Sequence, residues 1–267
     1  MPSAYAHYRF GRQVCPLLGP KEQQTILRYP ELFLIGLHGP DIFFYHHPLS
    51  PSALNRMGHR IHGEPGKDFF APAAKLLSTL PPRKREAGLS YLYGFLCHFA
   101  LDSVCHPYVE ARAARTGIAH MELEAEFDRR LMLHDGLDPL SHFPAGHIIP
   151  SLKNAEVIAS FFTREGGDAG QIRQTLCSMR ACCRLLTAPH LPKRLLIGAA
   201  FAAAGKSASM RGVMIPLHAD PACIPSNKKL AALYRKALPA AVELIRNYRR
   251  YTEGKEELND FFLRAFG

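Results

Sequence analysis

Between Gly94 and Glu110 the chain reads GFLCHFALDSVCHPYVE, an apolar stretch in which His98, Asp102 and His106 recur at intervals of four residues. In an α-helix a step of four residues rotates the side chain by only about 40°, so two imidazoles and a carboxylate share one face. Their neighbours Phe95, Leu96, Phe99, Leu101, Val104 and Tyr108 are those of a buried segment. Buried imidazoles and carboxylates need partners, and a metal ion supplies them. Shortly afterwards His120 and Glu124, in HMELEAEFD, stand at i and i+4, the spacing by which one helix offers two donors to one ion. Taken alone, that second pair reads more readily as a surface ion pair.

Further candidate ligands lie upstream. His7 sits between Ala6 and Tyr8 on an amphipathic first helix, where a packed or surface histidine is the commoner situation. Asp41 lies in GLHGPDIFFYHHP, where Gly39 and Pro40 force a turn that presents its carboxylate; an Asp that caps the turn is the competing reading. His59 and His62, in MGHRIHGEPG, are three residues apart, so either or both can face a metal, or the segment is a solvated basic loop.

The pattern along the chain is helical almost throughout, with hardly a strand signal, so the expected fold class is all-α, a compact multi-helix bundle. Helices are expected over about 4–17, 21–29, 66–80, 83–105, 119–134, 154–163, 170–186 and 227–251, with a short last one over 257–265. The Gly-, Pro- and His-rich segments 35–52 and 139–151 read as irregular loops. A chain of 267 residues that is 47% hydrophobic buries a substantial core, and one domain is expected: a part bearing the candidate ligands over about 1–135 and a helical part over about 136–267.

The formal charge of +10 and a sequence pI near 9.4 favour anionic ligands, lipid headgroups or nucleic acid, without choosing between them; solubility alone accounts for such a charge equally well. Seven cysteines, none in paired CxxC motifs, read as reduced thiols, with Cys97 and Cys105 as small core residues. The first residues lack an apolar core of signal-peptide length and no segment reaches the roughly 18 to 20 apolar residues of a membrane span, so a cytoplasmic location is expected. The longest apolar run, Leu195 to Gly205, is expected to form a buried helix. The sequence AFAAAGKS lacks the first glycine of a phosphate loop, and RNYRRY reads as a solvated face of the last long helix.

The ordered series of an early helical His, an Asp after Gly-Pro, a His before the third helix, then HxxxDxxxH and HxxxE resembles the bacterial zinc-dependent phospholipase C family and, more distantly, fungal single-strand-specific zinc nucleases. The resemblance spans about the first half of the chain; the second half agrees in being helical. It implies a cluster of two or three zinc ions between helices. Asp41, His62, His98 and Asp102 would hold one ion and His106, His120 and Glu124 a second. Asp102 would bridge to a third, completed by His7 and the amino-terminal residue. His62 is preferred over His59 because it lies nearer the following helix. Secreted members mature to an N-terminal Trp, which this chain lacks, and they space Asp102 and His106 more widely.

Such a cluster activates water and polarises phosphoryl oxygens, which makes a phosphoester, a phospholipid among them, the expected substrate. Asp41 is the candidate general base. Glu122, Asp128 or His38 are candidates to fix the imidazole tautomers. The alternative is a non-catalytic helical metal-binding protein whose basic surface meets anionic membrane or nucleic acid. A catalytic site keeps water on its ions, whereas a structural one is closed by protein ligands.

Overall fold

A computed structural model of the chain describes residues 4–48, 50, 52–163, 166–205 and 211–267. Its elements are α1 (Ala4–Val14), α2 (Pro20–Arg28), α3 (Pro30–Gly36), α4 (Ala53–Gly63), α5 (Gly66–Thr79), α6 (Pro82–Thr116), α7 (His120–His134), α8 (Leu152–Ala159), α9 (Ala169–Leu186), α10 (Leu191–Ala203) and α11 (Ile224–Thr252). Short 3-10 turns cover Cys15–Leu17, Gly39–Tyr45, Pro221–Cys223 and Asp260–Leu263. The fold is all-α, a compact helical bundle; among the described residues the one β-type feature is an isolated bridge between Pro65 and Ala265.

Helix α6 is the axis. Every residue from Ser90 to Ser103 is buried, the state of a helix that is apolar on all sides and is therefore covered on all sides. Helices α3 and α11 lie against it over the longest runs, with α1, α2, α5, α7 and α8 completing the coat. Gly36 and Gly94 let α3 approach most closely: a Cβ on Gly36 would meet the Tyr91 carbonyl, and one on Gly94 the Phe33 carbonyl. That contact carries the segment after α3, including Asp41, onto the face of α6 that bears His98.

The irregular loop expected over 35–52 is a correction. Residues Gly39–Tyr45 form a 3-10 turn, and the unforeseen α4 follows, opened by a reciprocal cap in which the Ser52 hydroxyl accepts from the Asn55 amide while the Asn55 side chain accepts from the Ser52 amide. His59 and His62 thus lie on a helix, not in a basic loop. Helix α6 also continues past Cys105, through exposed Pro107, to a left-handed Gly117 with φ 70°. Burial of Val109 on its far half offsets the one backbone hydrogen bond that the proline removes. Segment 139–151 is non-helical as expected, and the Arg180 guanidinium holds it by donating to the carbonyls of Ala145, Gly146 and Ile148.

The run from Leu195 is helical but not buried. In α10 only Ile197 is buried, while Leu191, Leu195 and Leu196 are 56%, 63% and 73% exposed. In RNYRRY the reading holds for exposed Arg246 and Arg250, whereas Asn247 and Tyr248 pack inward. None of the described helices is long and apolar enough to cross a membrane, and all seven cysteines are free. After α11 the chain returns to α6: the Gly66 amide donates to Arg264 O and the Ser103 hydroxyl to Ala265 O, at 2.8 Å each, and Phe266 is fully buried.

Candidate metal centre

The expected stripe on α6 faces inward as one line, and the other candidate side chains come to it from four different elements. Asp102 occupies the middle. One of its oxygens lies 3.2 Å from His7 Nε2 (α1) and 3.7 Å from His106 Nε2; the other lies 3.0 Å from His98 Nε2 and 4.0 Å from His62 Nε2 (α4). Asp41, in the 3-10 turn, places Oδ1 3.0 Å from His62 Nε2 and 4.0 Å from His98 Nε2. On α7, Glu124 Oε1 is 3.4 Å from His106 Nε2 and 3.2 Å from His120 Nε2. All eight side chains singled out from the sequence, His7, Asp41, His62, His98, Asp102, His106, His120 and Glu124, therefore meet in one place. Three groups have ligand atoms within 4.8 Å of one another: His7, Asp41 and His98; His62, His98 and Asp102; His106, His120 and Glu124.

These distances suit donors arranged around ions better than donors bonded to each other. With metal–ligand bonds of about 2.0–2.2 Å, tetrahedral neighbours stand about 3.3–3.6 Å apart, inside the range found here. Short as they are, several contacts are misaligned for hydrogen bonding: Asp41 Oδ1, His62 Nε2, His98 Nε2, Asp102 Oδ2, His106 Nε2 and Glu124 Oε2 are buried without an aligned partner. Each such orphan costs about 1–3 kcal/mol, a cost that a partner shared among them would relieve. A cavity of about 30 Å³ walled in part by His7, Asp102, His106 and Glu124 leaves room for an ion or a water. Imidazole nitrogens and carboxylate oxygens without a thiolate are a donor set that zinc accepts.

The electrostatics follow from crowding charge into a buried volume. Burial opposes ionisation of Asp102, but His106, His98 and His7 outweigh it and hold the carboxyl well below its usual range. Asp41 is lowered in the same way by His98 and His62 against its own burial. At His106 burial disfavours the cation, yet Asp102 and Glu124 raise it to about 10, while Glu124, despite burial, is brought down to about 2 by His106 and His120. His98, fully enclosed and beside His7, is lowered, chiefly by burial. In the metal-free centre the three carboxylates are thus ionised, and against the burial of the rings they raise His7, His62 and His106, which must give up their protons to bind a metal.

The surroundings orient the donors. The His62 ring has Nδ1 2.7 Å from the Gly58 carbonyl one turn earlier, which puts the proton there and leaves Nε2 free to face Asp41 and Asp102. Of the two histidines between which the sequence left a choice, His59 is exposed beside Phe44, and His62 points into the cluster. Gly39 has φ 46°, and a Cβ there would fall on the His98 ring, so the tight turn and the imidazole fit only without a side chain. His7 stacks on His98 at 4.3 Å.

The three candidate tautomer-fixing residues do other things. Asp128 accepts from the backbone amides of Tyr5 and Ala6 at 3.1 and 2.9 Å, tying the start of α1 to α7; burial pushes its own pKa up to about 8. Glu122 pairs with Arg211 at 2.9 Å. His38 meets His147 at 2.7 Å between the two Nε2 atoms, and burial and His147 hold His38 well below its usual pKa. Sequence reasoning missed the tail: the Gly267 amide donates to His62 O, Phe266 packs on His62 and His98, and a Cβ on Gly267 would overlap His106 Nδ1. Nothing local in that segment signals a contact made across most of the chain. The amino-terminal residue invoked for a third ion lies outside the described residues.

His120 is 33% exposed, whereas the other seven side chains range from 0% to 12%, so the centre opens to solvent on the α7 side. No curated protein and no solved structure matches the chain. The family described as zinc dependent phospholipase C matches residues 6–164, a stretch that takes in every one of the converging side chains. The chain belongs to the zinc-dependent phospholipase C family.

Proposed function

We propose that the protein is a zinc phosphodiesterase that cleaves the phosphoester bond of a phospholipid, with Asp41, His62, His98 and Asp102 holding one ion, His106, His120 and Glu124 a second, and His7 with Asp102 contributing to a third. The observation that carries this reading is the convergence of eight donors on a shared Asp102, with six buried atoms left unpartnered. Bound zinc would lower the pKa of a water towards neutrality, polarise a phosphoryl oxygen and offset charge gathering on the equatorial oxygens.

The chain's own residues supply the rest. Asp41, kept ionised by His98 and His62, accepts the proton of the attacking water as general base. The Gly58 carbonyl and the Gly39 turn fix His62 and His98, so that the donors are in place before substrate arrives. Leu101, Cys105 and Leu230 line the inner wall and keep bulk water out, while the His120 side remains open for the phosphoester. That opening distinguishes this reading from a structural metal site, which protein ligands would close.

The test is hydrolysis of bis(p-nitrophenyl) phosphate and of phosphatidylcholine vesicles by zinc-loaded protein, its chelated form, Asp41→Asn and Asp102→Asn. Turnover at least about 100-fold lower in each of the last three is expected. Equal turnover by metal-free protein or by Asp102→Asn would overturn the proposal.

A further inference from the structure

Helix α10 is built inside out. A helix on a water-soluble surface usually turns its leucines inward and its cations outward. Here the cations serve as the inward anchors: Lys193 Nζ donates to the carbonyls of Arg184 and Thr187 at 3.0 and 2.7 Å, and the Arg194 guanidinium to those of Ala188 and Ile215 at 2.9 and 2.8 Å. Leu191, Leu195 and Leu196, with Ala199 and Ala200 after them, stand in solvent. An open groove of about 510 Å³ runs beside them, lined by Leu195, Ala199, Met214 and Pro216, with Arg211 and Glu122 at its edge.

The charge of this region is one-sided. From Ala169 to Ala219 the sequence has seven Lys and Arg residues and no Asp or Glu, so most of the net charge of +10 is concentrated in a fifth of the chain. Exposed leucines in a stretch rich in cations, of which Arg211 is paired with Glu122, match an anionic lipid surface, whose headgroups attract the cations and whose acyl region accepts the leucines. The patch is also tied to α7. Gly212 lies so close to α7 that a Cβ on it would overlap the Met121 and Glu122 backbone, and Arg211 pairs with Glu122. Glu122 stands between His120, the exposed donor, and Glu124. Being two residues from each of these donors on a regular helix, Glu122 projects from the other side of α7, so the apolar patch lies across that helix from the metal centre.

We propose that the exposed face of α10, with Leu191, Leu195 and Leu196 as its anchors, docks on an anionic membrane surface and so brings the hydrolase to its lipid. This deepens the phosphodiesterase reading and rests on it for the purpose of docking, while docking itself is measured separately. The net effect is a hydrolase whose activity on lipid depends on the interface and whose activity on soluble esters does not.

The experiment is co-sedimentation of full-length, zinc-loaded protein with phosphatidylglycerol/phosphatidylcholine vesicles and with pure phosphatidylcholine vesicles. Wild type is compared with Leu195→Asp/Leu196→Asp, a double variant at two positions already in water, and bis(p-nitrophenyl) phosphate hydrolysis and solution mass are read on both. Expected are binding to anionic vesicles that weakens in high salt, at least about tenfold weaker binding by the variant, and unchanged hydrolysis of the soluble ester. Wild type that ignores anionic vesicles, or a variant that binds them equally well, overturns the proposal. So does a wild-type dimer that the variant splits while neither binds vesicles, which makes the face a self-association surface. Wild type that binds vesicles but hydrolyses no diester refutes the phosphodiesterase reading and leaves the docking surface standing.

Discussion

Gly39→Ala tests how tightly the turn before Asp41 is fitted to the centre. The substitution places a Cβ-bearing residue at φ 46°, which costs about 1–2 kcal/mol. It also drives that Cβ into the imidazole of His98, which is wholly buried and held between the His7 ring at 4.3 Å and Phe266, and such overpacking adds about 1–3 kcal/mol. The sum, about 2–5 kcal/mol, lowers Tm by on the order of 10 °C in a chain of this size. Either response, a shifted turn or a rotated ring, moves a donor, so zinc retention against a chelator falls together with stability. Gly254→Ala is the control: φ is 70° there and nothing lies within 4 Å of the added Cβ, so only the backbone penalty applies and zinc content is unchanged. Differential scanning fluorimetry and elemental zinc analysis on both variants decide the matter. Gly39→Ala protein with full zinc and a Tm no lower than that of Gly254→Ala would refute the fit described here.

Zinc affinity should rise with pH by up to about tenfold per unit from neutrality towards pH 10, because His106, raised to about 10 in the metal-free protein, must lose its proton to bind; a flat profile in competition titrations would contradict this. The stability that His106 gives the metal-free protein is complete below about 6.5 and lost as pH climbs through about 10. That of Glu124, lowered to about 2, is complete above about 4.5 and lost as pH falls through 2. Chelated protein should accordingly show its highest Tm between about pH 4.5 and 6.5. Asp128→Ala strips two buried α1 amides of their acceptor, so a loss of about 2–4 kcal/mol in chemical denaturation is expected together with loss of the zinc served by His7; Asp128→Asn, which keeps one acceptor, should lose less. Phe266→Ala opens a cavity beside Phe99, Phe95 and the His98 ring and should cost about 3–5 kcal/mol, read by the same denaturation, with zinc retention lowered.

What the sequence disclosed and what it withheld have physical causes. The α6 stripe was legible because one helix period places His98, Asp102 and His106 on a single face and their neighbours announce burial. His120 and Glu124 were equally local. His7, Asp41 and His62 were ambiguous alone, since each has an ordinary structural alternative; the order of the series, not any one residue, marked them as candidates. Helix α4 escaped notice because its start depends on Ser52 and Asn55 capping each other, and the Gly-, Pro- and His-rich run before it obscured that signal. The extent of α6 was misjudged at Pro107, where tertiary burial of Val109 overrides a local helix breaker. The exposure of α10 was invisible to a hydropathy reading, because Lys193 and Arg194 fix its orientation through backbone carbonyls of the segments before and after the helix. The tail at Phe266 and Gly267 reaches His62 and His106 by packing across most of the chain, which no local pattern encodes.

The central claim is that the buried donors around Asp102 share bound ions. Zinc content per folded chain, measured by elemental mass spectrometry after zinc loading and gel filtration, tests it most directly. Two or three zinc ions per chain in the wild type, with at least one lost in Asp102→Asn, is the expected result; a correctly folded wild type that retains less than one zinc would contradict the account.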